Sequence, residues 1–173
     1  MCSLENFSIE LKGMKSDSEH FDFPLKDDYF QLLEAPEVSR GTLMAALDVR
    51  KVGDAFELNF HVVGDVIIPC DLCLDDMLQH IDATDKLIAR FGDDNDESGD
   101  DIIVAETEGT LDVSWIIYEI IALAIPVRHV HAPGECNADM LRHLEEHAAK
   151  QVDEAEPEED PRWAALKQLK ENN

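Results

Sequence analysis

The stretch Ala55-Phe56-Glu57-Leu58-Asn59-Phe60-His61-Val62 decides how this chain is read. Its apolar residues fall on every second position, so an extended backbone puts Phe56, Leu58, Phe60 and Val62 on one face and Glu57, Asn59 and His61 on the other. That is a half-buried strand. Leu43, Ala45, Leu47 and Val49 repeat the pattern upstream, as do Phe7, Ile9 and Leu11 near the start. Gly53-Asp54 and Gly64-Asp65 are read as the turns that reverse the chain, because Gly supplies the positive φ such turns need. An antiparallel meander from about Ser39 to Cys70 follows. The expected fold class is α+β: this meander, with a barrel-like closure as one form of it, plus a buried helix and further helices in the C-terminal half.

Working outward, Lys26 to Glu34 places Tyr29, Leu32 and Leu33 at helical spacing, and Pro36 closes the segment. Past Cys73 a strand is expected through Leu87, Ala89 and Phe91. It ends in the acidic run from Gly92 to Asp101, read as a solvated hairpin loop. A calcium loop is the sharper reading of so many carboxylates, but the full ligand pattern and its closing Glu are absent. Ile102 to Val104 resumes a strand. Asp112 or Ser114 is positioned to cap a helix running to about Ile125, apolar on most faces and therefore buried, with Pro126 ending it. Asn137 caps another, whose stripe of Met140, Leu141, Leu144 and Ala148 is expected to dock on the sheet. Between Asp153 and Asp160 six of eight residues are acidic and Pro157 breaks any helix. The expected organisation is one α+β domain over 1–152, an acidic linker over 153–160 and a short amphipathic helix over 161–173.

The 173 residues carry 39 acidic and 14 basic side chains, a formal charge of -25. Such a charge argues against a general nucleic-acid binder, whose affinity comes from Lys and Arg displacing counterions, so direct RNA contact is expected to be weak or local. It favours basic partners, ribosomal proteins among them; solubility alone would also account for it. The opening Met1-Cys2-Ser3-Leu4-Glu5 has no basic or apolar leader region, and the stretch from Trp115 to Val127 is short of the ~20 residues of a membrane span. A soluble, cytoplasmic protein is expected. In that compartment cysteines point to metal binding or plain burial more than to disulfides.

Three of the four cysteines belong to one pattern. Cys70-Asp71-Leu72-Cys73 has the spacing by which one tight turn offers two sulfurs to a single Zn²⁺, and His131 with Cys136 could complete a tetrahedron. His129 is the substitute fourth ligand, since alternate residues of an extended segment point the same way. Four protein ligands would make a structural clip, with one Zn²⁺ as the cofactor. The competing reading makes Cys70 and Cys73 small buried hydrophobes. A redox pair is disfavoured by Asp71, Asp75 and Asp76, because thiolate activation wants positive charge.

Other candidates are weaker. His143 and His147 share a helix face without making a zincin motif. Glu119 in the apolar helix is a carboxylate with a raised pKa, the partner of Arg128 or Arg90, or a side chain that reaches solvent. No nucleophile elbow or phosphate loop is present, so no enzyme is read. In the last segment Trp163, Leu166 and Leu169 lie beside Arg162, Lys167 and Lys170, a partner-docking helix unless it folds back on its own domain.

The order of these pieces resembles the YceD-like family of bacterial and plastid proteins: a β-rich N-terminal half, Cys70-x-x-Cys73 with Leu74, an apolar helix with Glu119 running into Ile125-Pro126, then His131 and Cys136, and a closing Asp160-Pro161 with Leu166 and Leu169. Many members carry more cysteines after the proline, whereas here Cys136 stands alone. The resemblance implies a role in large-subunit ribosomal RNA accumulation, processing and ribosome assembly with no established catalytic residues; together with the missing catalytic motifs and the acidic charge, the expected protein is a non-enzymatic factor with a basic ribosomal protein or pre-ribosomal particle as partner. The alternatives are a metal-dependent rRNA-processing enzyme and a metal carrier for a zinc-containing ribosomal protein.

Overall fold

The computed structural model of the protein describes residues 4–92 and 101–148. After a 3-10 turn at Leu4–Phe7 come β1 (Ser8–Glu10), β2 (Ser18–Leu25), α1 (Asp27–Leu32), β3 (Arg40–Val52), β4 (Ala55–Pro69) and β5 (Asp76–Gly92). They are followed by β6 (Asp101–Ala105), β7 (Thr110–Asp112), α2 (Ser114–Ala124) and α3 (Ala138–His147). The expected α+β class is the observed one. Strands β2 to β6 form one sheet in sequence order, open at β2 and β6, so it does not close into a barrel; β1 and β7 pair separately.

The alternation that marked the strands is what builds the core. Leu43, Ala45, Leu47 and Val49 of β3 and Phe56, Leu58, Phe60 and Val62 of β4 all point into one buried cluster. The opposite face, with Asp48, His61 and Asp82, stays exposed. Onto the buried face pack Tyr29 and Phe30 of α1 and Ile116, Ile117, Ile120 and Ile121 of α2. Each such side chain contributes about 1.5–3 kcal/mol by leaving water. The two helices are tied by polar bonds as well: the Tyr29 hydroxyl donates to the Ser114 carbonyl at 2.6 Å, and the Glu37 N–H donates to the Tyr118 hydroxyl at 3.1 Å. Val113 occupies the cap position of α2 without a side-chain bond; Asp112, two residues ahead of Ser114, accepts from the Ser114 N–H at 2.8 Å.

Several expectations are corrected. Gly64-Asp65 is no turn: Gly64 lies inside β4, opposite Leu43, and the ladder passes through it unbroken. Its φ of +152° lets two backbones approach so closely that a Cβ would sit 2.4 Å from the Thr42 carbonyl oxygen. Gly53-Asp54 is the two-residue turn between Val52 and Ala55, with positive φ at Gly53 alone, as a type II′ hairpin asks. β6 runs parallel to β5, with Ile88 opposite Asp101 and Gly92 opposite Ala105, so a simple hairpin across the acidic run is excluded. Strands β2 and β7 were not anticipated. Residues 93–100, the linker over 153–160 and the helix over 161–173 lie outside the described residues.

The chain divides after Asn137. In the second unit, α3 forms where the apolar stripe placed it, yet buries none of its residues: Met140 and Leu144 are both exposed. Its described polar pairs are local, Arg142 with Asp139 and His143 with Glu146.

Replacing Gly64 by Ala is expected to cost more than about 3 kcal/mol, because the new Cβ meets fixed backbone, while Gly53→Ala, with open space around it, should cost only about 1–2 kcal/mol of left-handed strain. Urea unfolding of the two variants against the parent measures both.

Candidate metal centre

The last pair of the long β4–β5 ladder is Pro69 with Asp76, so Cys70-Asp71-Leu72-Cys73-Leu74-Asp75 is the loop of that hairpin. Two backbone bonds coil it: the Cys70 N–H donates to the Asp75 carbonyl and the Leu74 N–H to the Cys70 carbonyl, both at 2.9 Å. Leu74 takes the left-handed conformation, φ +62°, to close the coil. The Leu72 N–H points at the Cys70 sulfur at 3.4 Å. Both thiols are buried as a result.

The second half of the site follows α2. Pro126 ends the helix, and the chain bends at Val127 and Arg128, passes His129 and His131, then turns at Pro133-Gly134, where the Glu135 N–H donates to the Ala132 carbonyl at 3.0 Å. That turn brings Cys136 back beside His131. The Cys73 sulfur lies 3.3 Å and the Cys136 sulfur 3.9 Å from His131 Nδ1, and the Cys70 and Cys136 sulfurs are 3.9 Å apart. All four ligand atoms fall within 4.8 Å of one another. A tetrahedral ion with zinc–sulfur bonds of about 2.3 Å and zinc–nitrogen bonds of about 2.0–2.1 Å requires sulfur–sulfur edges of about 3.8 Å and sulfur–nitrogen edges of about 3.6 Å. The donor set fits that size, and among the described residues it is the one such group that could hold a metal ion.

The structure separates the two histidines that spacing left equivalent. His131 presents Nδ1 to the sulfurs while its Nε2 faces the Asp76 carbonyl at 3.3 Å, which fixes the tautomer that leaves Nδ1 free to ligate. His129 is otherwise engaged. Its Nδ1 faces the Pro126 carbonyl at 3.0 Å, its N–H donates to Asp71 at 2.8 Å, and its carbonyl accepts from the Asp71 N–H at 3.0 Å. Asp71, the residue inside the Cys-x-x-Cys spacing, thus ties the hairpin loop to the second segment. Sequence reasoning missed that clamp; an acidic residue between two thiols was its only trace.

The cluster is electrostatically uneven. Burial pushes the Cys70 thiol up, but the N–H groups of Cys73, His131 and Leu72 and the Cys73 side chain outweigh it and bring it down to about 6. Contact with Cys70 raises His131 above its ordinary value, against the opposing effect of burial. Burial and then the Cys70 and Cys73 side chains push Cys136 up to about 11. Without a metal the site therefore holds a thiolate beside a readily charged imidazole and a thiol that keeps its proton.

The other candidates part from this centre. Glu119 is exposed and accepts from Trp115 Nε1 at 2.9 Å, and Arg90 pairs with Asp101 at 2.7 Å, so neither proposed ion pair of Glu119 with Arg90 or Arg128 forms. His143 faces Glu146 at 3.6 Å. Arg162, Trp163, Leu166, Lys167, Leu169 and Lys170 lie outside the described residues. On the open face of the sheet, unanticipated, His20 pairs with Asp48 at 2.6 Å, His61 with Asp82 at 2.9 Å and His80 with Asp65 at 2.9 Å.

A family model described as "Large ribosomal RNA subunit accumulation protein YceD" matches residues 58–170, roughly two thirds of the chain. The match begins inside β4 and takes in all four members of the cluster. No curated protein and no solved structure matches the chain.

Metal uptake has to displace the Cys136 proton and, below its raised midpoint, that of His131, so affinity must rise with pH. Competition titrations with a chelator are expected to show zinc held at least about tenfold more tightly at pH 8 than at pH 6. His131→Ala should abolish stoichiometric binding, whereas His129→Ala should keep the metal and weaken it by about 10–100-fold, as loss of an outer contact does.

Proposed function

Because the chain belongs to the YceD family, we propose that it supports large-subunit ribosomal RNA accumulation as a non-catalytic assembly factor of the cytoplasm. In this reading Cys70, Cys73, His131 and Cys136 hold one structural Zn²⁺. The observation that carries the metal assignment is the convergence of three thiols and one oriented imidazole, from segments some sixty residues apart, at tetrahedral spacing. Four protein ligands leave no open coordination position for a water or substrate, which is why a clip is proposed and not a hydrolytic centre.

The proposed partner is a basic ribosomal protein or a pre-ribosomal particle containing one. A formal charge of -25 repels naked phosphate backbone and attracts Lys- and Arg-rich surfaces, speeding their encounter at low salt. The run of Arg162, Trp163, Leu166, Lys167, Leu169 and Lys170 is proposed, from its pattern of residues, as a second docking element.

The purified protein is expected to carry one zinc per chain by elemental analysis, and Cys70→Ser or Cys136→Ser should lose it with a lowered thermal midpoint but cooperative unfolding. Depletion of the protein from cells should lower the ratio of large- to small-subunit ribosomal RNA. Re-supplied wild type should restore that ratio and Cys70→Ser should not. An unchanged ratio after clean depletion would overturn the assignment.

A further inference from the structure

Beside the metal cluster runs a groove of about 480 Å³. It is lined by Pro36 and Glu37, by Ile68 and Pro69, and by Ala122, Ile125 to Val127 and His129. Ile68-Pro69 leads directly into Cys70, and Val127 to His129 leads directly into His131. Two of its lining segments are therefore the approach segments of the two half-sites, and whatever joins those half-sites fixes how far apart these segments stand.

The rim of this groove breaks the usual rule for apolar side chains. Val127 is 104% exposed and Leu123, four residues earlier on the last turn of α2, is 85% exposed, the two highest values among the large hydrophobics described. Scattered apolar residues on a surface need no explanation, but Val127 is itself part of the lining of a concavity shared with Ile68, Ala122 and Ile125, and Leu123 follows Ala122 of that lining in sequence. Nor is Val127 on a loose loop. The turn that carries it is closed by His129 Nδ1 against the Pro126 carbonyl at 3.0 Å, and anchored by the His129 N–H on Asp71 at 2.8 Å. A fully exposed valine held on a locked turn is a presented side chain.

Charge identifies what it is presented to. Glu37, part of the lining, has no ion-pair partner among the described residues, whereas the Asp71 carboxylate is taken up by His129. Arg128 is the one Lys or Arg next in sequence to a lining residue, in a chain whose net charge is strongly negative. We propose that this groove is the docking slot for a short basic segment of a partner protein, one apolar side chain entering between Ile68 and Val127 while a flanking Lys or Arg side chain meets Glu37. The inference rests on the functional reading above and gives that reading a surface: the zinc clip shapes the slot in which the basic partner is held.

The test uses the full, zinc-loaded chain with methyl and amide labels for NMR, titrated with three short synthetic peptides: Lys/Arg-rich with a central Leu, the same with a central Ser, and an Asp/Glu-rich version with a central Leu. The first should bind, with shifts centred on Ile68, Ala122, Ile125 and Val127, and about tenfold more tightly than either control. Val127→Asp and Glu37→Lys should each weaken it about tenfold at unchanged zinc content and unfolding midpoint, while Met44→Asp on the open sheet face should leave it unchanged. Equal binding of the Ser peptide, shifts centred on the sheet face, or no binding would overturn the slot. Full rescue of the ribosomal RNA ratio by Val127→Asp in depleted cells would also overturn it, with the family role intact. A ratio that does not respond to depletion would sink the family role, and the peptide titration would still decide the slot.

Discussion

Everything at the functional end of this protein depends on the register of the β4–β5 ladder. Fifteen residue pairs, from Ala55 opposite Arg90 to Pro69 opposite Asp76, bring the chain to the point where Cys70 begins its loop. What fixes that register is burial. Phe56, Leu58, Phe60, Val62, Val66 and Ile68 must all face the buried cluster, and a slip by one residue would turn them out to water. The same contact positions the other half-site, because α2 lies on the face those residues form and Pro126 releases the chain where the hairpin loop waits. Four soft donors meet because two apolar surfaces did.

How much of this was legible follows from the same physics. Alternation at Leu43 to Val49 and Phe56 to Val62 specified both strands and which face is inside, since a period of two has no other reading over so many residues. Gly64 misled because glycine signals positive φ without saying why. Here it permits close approach within a strand, and the parity of Val62, Val66 and Ile68 running through it was the signal that no turn intervenes. β2 was hidden by His20, Asp22 and Pro24 on its exposed face, and its burial is confined to Phe23 and Leu25 near one end. The parallel course of β6 could not be read at all, because five apolar-rich residues look the same in either direction.

The donor set was legible and its choice of histidine was not. Spacing placed His129 and His131 on the same side of an extended segment, and only the surroundings break the tie. His129 is consumed by Pro126 and Asp71, while His131 has a carbonyl behind Nε2 and sulfurs before Nδ1. This is a general limit. Ligand identity depends on what holds the far nitrogen, a residue distant in sequence that carries no motif.

The scale of the core then says what a clip of this kind controls. In small zinc modules the metal supplies the folding free energy, and removal unfolds the domain. Here the sheet and its two helices bury a single cluster that includes Tyr29, Phe60, Leu58, Ile117 and Ile121, ample to fold without help. The cluster sits at the rim of that core, where the chain between Pro126 and Asn137 contributes no buried side chain, Cys136 itself being half-buried. A segment with so little burial of its own opens at low cost unless something else restrains it. The thiol–imidazole set and the Asp71–His129 clamp supply that restraint together, so a metal held by the four donors would govern the geometry of the segment more than the survival of the fold. Val127, held out beyond that segment's start, is where the restraint reaches the surface.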